Sequence, residues 1–174
     1  MSIHKVWKTR EKAITYLERE YPSRLVVAYK TLELFDLCTE AFNQTVENDD
    51  YARACGVTLL KARNLAIGSF GMILDGLGQE AGALMRPMIE CAEILAYLRL
   101  KPDEAGKALS DQLPKAGDRA KAIGSIYEEF RKHLNQYASH NSFSEVAVRH
   151  LIDVSNNKLL LRRELCTKAL DKNL

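Results

Sequence analysis

The chain has 174 residues, enough for one domain to bury a core without disulfides or a structural metal. Its 47% hydrophobic and 28% charged content excludes a disordered or fibrous polypeptide. The 25 basic and 23 acidic residues are mixed along the chain for a net charge of +2, so no strong field favours nucleic acid or an anionic membrane.

Cys38, Cys55, Cys91 and Cys166 are widely spaced and form no Cys-x-x-Cys. That excludes a zinc knuckle or thioredoxin-like motif and reads as small core residues in a reducing compartment. The first residues, with His4, Lys5, Lys8, Arg10, Glu11 and Lys12, lack the apolar run of a signal peptide. No stretch reaches the roughly 18 apolar residues of a membrane span. A cytoplasmic protein without a membrane partner is the expectation.

Apolar residues recur at three- and four-residue spacing, and the alternating segments of strands are missing. An all-α antiparallel bundle of about five to six helices, one domain over residues 1–174, is predicted. The first amphipathic helix, about Ile3 to Glu20, carries Val6, Trp7, Ile14, Leu17 and Tyr21, and Pro22-Ser23 gives a stop and a new N-cap. The next stripe is Leu25, Ala28, Leu32, Phe35, Cys38, Phe42 and Val46. After the loop and cap cluster Asn48-Asp49-Asp50, residues Val57, Leu60, Ile67, Phe70 and Leu74 mark a third helix. It carries Gly56, Gly68 and Gly71, each costing about 0.5–1 kcal/mol relative to alanine. Gly68 and Gly71 share a face, and Gly82 of the next helix is placed to oppose them in a close helix–helix approach.

A turn at Asp75, Gly76 and Gly78 leads to a fourth helix, about Gln79 to Leu100, ending before Pro102. Asp103 to Ser110 reads as a short helix or ordered connection. A fifth helix, about Pro114 to His140, shows Ile123, Ile126, Tyr127, Phe130, Leu134 and Tyr137 at bundle spacing. Ser142 and Glu145 match a capping box opening a sixth helix through Val148, Leu151 and Val154. Asn156-Asn157 interrupts it before Leu159 to Leu170.

The fourth helix has unusual chemistry. At about 100° per residue Arg86, Glu90, Glu93 and Tyr97 fall on one narrow line, while Leu84, Met85, Met88, Ile89, Cys91, Ala92, Ile94, Leu95 and Leu98 cover the rest. Such a helix belongs at the centre of the bundle. Its polar line is either a wet edge with an Arg86–Glu90 ion pair or a set of donors and acceptors facing an internal site. Pro87 removes one ladder bond and frees the Ala83 carbonyl, or else restarts the helix. A second polar feature is Tyr137-Ala138-Ser139-His140-Asn141-Ser142, in which His140 shares a helix side with His133 as a packing residue or as a base.

The pairing of the Arg86-x-x-x-Glu90 helix, preceded by Gln79 to Met85, with the Tyr-x-Ser-His-x-Ser segment Tyr137 to Ser142 resembles a family of uncharacterised bacterial helical proteins. That family is distantly similar to the HEPN (higher eukaryotes and prokaryotes nucleotide-binding) bundles. The resemblance spans about Leu59 to Ser142 and implies a helical bundle without a settled reaction. HEPN ribonucleases use an arginine, then four to six intervening residues, then a histidine; here Arg131 lies too far before His140, and Asn135 stands where the arginine is expected.

These residues lead to the expectation of a non-catalytic, homodimeric bundle that binds a small molecule or protein partner. Arg86, Glu90, Glu93, Tyr97, Tyr137, His140, Asn141 and Ser142 are its candidate ligand-binding residues. The alternative is a HEPN-like metal-independent ribonuclease or toxin component with His140 as general base and Arg86 on the phosphate. A carboxylate metal site needs Glu-x-x-His pairs, whereas the chain offers Glu90-x-x-Glu93 and a Glu129–His133 spacing one residue too long. No metal or cofactor is expected. Phosphate-binding glycine loops and a Gly-x-Ser-x-Gly elbow are also missing. The basic residues Lys158, Arg162, Arg163, Lys168 and Lys172 read as the solvated face of a last helix.

Overall fold

In the computed structural model, residues 3–45, 47, 49–137, 152–153, 158–159 and 167 are described. Two long helices joined by a tight turn form the middle of an all-α bundle: α3 (Asp50–Leu74) and α4 (Gly78–Leu100). Asp49 caps α3, its carboxylate accepting from the Tyr51 and Ala52 amides at 2.8 and 3.3 Å. The α3–α4 turn is closed by Gly76 at φ 76°, with the Leu77 amide bonded to the Met72 carbonyl at 2.7 Å. The Ser69 hydroxyl donates to the Ala81 carbonyl at 3.3 Å across the hairpin.

The helices α1 (Ile3–Glu20) and α2 (Pro22–Asn43) pack on α3. In α1, Ala13 and Leu17 are four apart and fully buried, clustered with Leu25 and Leu74. Arg10 forms a two-pronged ion pair with Asp75 at the end of α3, its Nε donating to Oδ1 at 2.8 Å. Arg63 of α3 pairs with Asp36 of α2 in the same manner. Pro22 itself occupies the first turn of α2 and Tyr21 is the capping residue, so Ser23 is not the N-cap the sequence suggested.

Beyond α4, a 3₁₀ turn (Pro102–Glu104) and α5 (Ala105–Leu109) return the chain onto α3, and α6 (Ala116–Ile123) and α7 (Glu128–Tyr137) pack on α4. The fourth helix is central as expected, sharing that place with α3. Leu98 is fully buried against Ala54, Cys55 and Ala105.

Three expectations are corrected. The fifth helix does not run unbroken from Pro114 to His140: it ends at Gly124, whose left-handed backbone (φ 61°, ψ 47°) lets the Ser125 amide reach the Ala120 carbonyl at 2.9 Å. Ile126, expected in its apolar stripe, is 86% exposed at this break. The sixth helix does not extend through Ile152 and Asp153, which pair antiparallel with Lys158–Leu159 in a two-residue ladder; Asn156-Asn157 lies outside the described residues. The Ser142–Glu145 capping box lies outside the described residues. On α3, finally, Val57, Leu60 and Ile67 are 42–47% exposed, whereas Leu74 is buried and Phe70 packs against it as expected; the rest of the buried face is made of Ala52, Ala54, Cys55, Thr58, Ala62 and Ser69. Small side chains let α2 and α4 approach closely and turn the bulkier residues outward.

Glycines take part in that approach, though not with the partner expected. A Cβ on Gly68 would lie 3.1 Å from Leu84 of α4, whereas one on Gly71 would meet the Arg10 guanidinium at 3.7 Å. Gly56 backs onto the Phe42 Cβ of α2. The apolar α3 has the length and composition of a membrane-crossing helix, but here it is packed by helices on more than one side.

Candidate functional site

The polar line of α4 divides into two halves. At its N-terminal half Arg86 and Glu90 form the i, i+4 ion pair at 3.4 Å, with side chains 39% and 31% exposed. At its C-terminal half Glu93 and Tyr97 are enclosed, 1% and 3% exposed.

Glu93 faces the break between α6 and α7. The Ser125 hydroxyl donates to its Oε1 at 2.5 Å and the Arg131 guanidinium to its Oε2 at 3.3 Å. Its side chain has no contact with solvent, and that of Arg131 is 16% exposed. Ser125 is used twice, since it also accepts from the Tyr127 amide at 3.2 Å and so starts the turn into α7. Buried nitrogen and oxygen atoms without a protein partner lie on the same two helices: Nε of Arg119 and Arg131, and Oδ1 of Asn135. Arg119 is otherwise held by the Pro114 carbonyl at 2.5 Å. Glu93 therefore fixes α7 on α4, with each carboxylate oxygen bonded within the protein.

Tyr97 donates its hydroxyl to Glu104 Oε2 at 3.0 Å, and the Lys101 ammonium sits 5.6 Å above its ring. The Tyr97 hydrogen bond, reinforced by Lys107 and Lys101, holds the Glu104 carboxyl below its ordinary range. This pair seals the end of α4 against the 3₁₀ turn.

The open half borders a cleft between α3 and α4 of about 550 Å³. Leu65, Leu84, Pro87 and Ile94 supply apolar wall, and Lys61, Asn64, Glu90 and Cys91 supply polar atoms. Pro87 lies within a continuous α4 rather than at a helix restart, and lines this cleft. The volume falls within the range of small-molecule sites, about 300–1,000 Å³. Burial pushes the Cys91 thiol above its ordinary value; nearby Lys61 opposes this and Glu90 adds to it. A thiol so held is protonated and weakly nucleophilic. Cys38, Cys55 and Cys91 are all unbridged.

A second cleft, about 530 Å³, lies at the α1–α2 junction and is lined mainly by Leu17, Tyr21, Leu25, Val27 and Phe70, with Arg24 and Ser23. It lacks a carboxylate, so the α3–α4 cleft has the richer polar chemistry.

Of the residues chosen from sequence, Glu90 lines the α3–α4 cleft and Arg86 pairs with it, while Glu93 and Tyr97 face elsewhere as structural anchors. Tyr137 is the last residue of α7; its side chain and His140, Asn141 and Ser142 lie outside the described residues. Lys61 and Asn64 were missed, although two polar residues three apart within the apolar run Val57 to Leu74 mark an interrupted helix face. Ser125 and Arg131 were missed because the Gly124 stop was read as helix interior. No group of three or more metal-ligating side chains occurs among the described residues. No protein-family model, curated protein or solved structure matches the chain.

Proposed function

We propose that this protein is a non-catalytic binding module whose α3–α4 cleft takes a small amphipathic ligand. The supporting observation is the placement of Lys61, Asn64 and the Arg86-paired Glu90 around an apolar wall of Leu65, Leu84, Pro87 and Ile94. An apolar pocket with a few placed polar groups binds through the ligand's greasy body and selects by its charged ends. Lys61 suits a carboxylate or phosphate, and Glu90 an amine. The ligand class that satisfies both is an apolar or aromatic zwitterion. The protonated, buried Cys91 speaks against thiol chemistry at the same place.

The test is thermal denaturation of the full chain with aromatic amino acids, and with the matching amines and acids. A ligand at 100 times its Kd stabilises by about 2.7 kcal/mol, a shift of roughly 5–10 °C for a chain of this size. Lys61→Met is expected to abolish the response to acids and Glu90→Gln the response to amines. Responses that neither substitution alters, or none from any compound, refute the reading. RNA cleavage lost on His140→Ala replaces it with a ribonuclease.

A further inference from the structure

The helix α2 buries one residue, Leu25, in its 22-residue length. Its inner side is accounted for: Leu32, Phe35, Thr39 and Phe42 are half-buried, and Asp36 pairs with Arg63 of α3. The opposite side is also apolar. Val27, Leu34 and Leu37 are 64%, 59% and 63% exposed, and Val26 beside them is 49% exposed. Lys30 and Ala41 are exposed as well.

These outward residues follow a heptad. Val27, Lys30, Leu34, Leu37 and Ala41 are spaced three, four, three and four apart, the a/d repeat of a two-helix coiled coil. Glu33 and Glu40 flank the seam seven residues apart and are both exposed. A surface helix facing only water has no need of such a seam, because its apolar stripe is already satisfied on the inner side.

We infer that the outer face of α2 is the interface of a homodimer, in which the α2 helices of two copies pack antiparallel about a two-fold axis. Charge selects the orientation. A parallel pair brings Lys30 of each copy against its equivalent in one core layer, burying two like charges side by side. An antiparallel pair with its axis between Phe35 and Asp36 separates them. Leu34 of each copy then stacks on Leu37 of the other, and Lys30 crosses the small Ala41 with Glu40 of the second copy beside it. The single polar seam residue sets the register, as one such residue does in coiled coils generally. A helix of this length is roughly 33 Å long. Its seam buries about 600 Å² per copy, the lower end of the roughly 1,200–2,000 Å² total of specific interfaces, which suits a dimer of about micromolar Kd.

Sedimentation of the full chain at about 100 µM tests this, a concentration well above that Kd. The expected mass is twice the 19.6 kDa of the chain. Leu34→Glu with Leu37→Glu changes only exposed positions and is expected to give a monomer with unchanged helical circular dichroism. Lys30→Glu alone is expected to weaken the dimer at least tenfold, and adding Glu40→Lys to restore it. A monomeric wild type overturns the inference, and so does a dimer that survives the double glutamate variant. Failure of the charge reversal to rescue overturns the antiparallel register. Flotation of the wild type with phosphatidylcholine vesicles, lost in the double glutamate variant, assigns the face to a membrane instead.

Discussion

Arg86 and Glu93 lie on the same line of the same helix, yet one half of that line is a partly solvated ion pair and the other is sealed inside the bundle. The difference comes from what stands opposite. Near Arg86 and Glu90 the neighbouring α3 offers Lys61 and Asn64 across an open cleft. One to two turns on, the Gly124 break allows Ser125 and Arg131 to close over Glu93, and the 3₁₀ turn brings Glu104 over Tyr97. Helical periodicity tells which side chains share a face; the partner elements decide whether that face binds or merely holds.

The sharpest way to break the sealed half is to remove the cation. Arg131→Met leaves the Glu93 carboxylate buried with only the Ser125 hydroxyl, and losing one partner of a buried pair costs about 3–5 kcal/mol. Urea denaturation is expected to show that loss, and replacing Glu93 by methionine in the same chain to recover much of it. A loss below about 1 kcal/mol in the single variant would mean the pair is solvated. A smaller effect comes from the turn that presents Ser125. Gly124→Ala forces a side chain into the left-handed region and is expected to cost about 1–2 kcal/mol, read by the same titration. Nothing lies within 4 Å of an added Cβ there, so the effect is one of backbone conformation alone.

Tyr97 gives the same half a pH signature. A carboxyl whose folded pKa is depressed stabilises the fold above its unfolded value, and that stabilisation disappears as the pH falls through the folded value. Glu104 is held below the ordinary 4.5 chiefly by the Tyr97 hydroxyl. Tyr97→Phe is therefore expected to lower Tm at neutral pH more than in acid. Equal Tm losses at pH 7 and at about pH 3 would show that the hydroxyl does not act through the carboxylate.

The regular parts of this molecule could be read from spacing because helix faces repeat: the spans of the first, third and fourth helices, the Asp49 cap and the Gly76 turn all follow from local residue chemistry, whereas the cap of the second helix did not. The inner stripe of α2 was equally plain from Leu25 to Phe42, while Val46 of the predicted stripe lies outside the described residues. Misreadings arose where a local signal conflicted with a longer pattern. Ile123, Ile126, Tyr127 and Phe130 continue a helical stripe across Gly124, so the glycine stop was overridden. On α3 the stripe held at Phe70 and Leu74, but Val57, Leu60 and Ile67 face outward, because close packing there favours the alanines, Cys55 and Ser69. The cleft was only half visible, since Glu90 is on the conspicuous helix and Lys61 on the inconspicuous one. No periodicity argument joins two helices at a given depth.

The open half makes the complementary prediction, and its effect on stability is the smallest. An i, i+4 ion pair with side chains 39% and 31% exposed contributes about 0.2–0.5 kcal/mol, so Arg86→Ala should shift the urea midpoint barely beyond error. The substitution leaves Glu90 in the cleft without its helix-borne cation. If the cleft binds amines through Glu90, its carboxylate becomes the better acceptor, and amine affinity should rise while the fold is unchanged. If the Arg86 guanidinium itself completes the ligand site, the same variant loses acid binding with equally little effect on stability. Measuring both in one variant distinguishes a helix-surface pair from a pair that tunes a site, because only the latter changes ligand preference when its stability contribution is almost nil.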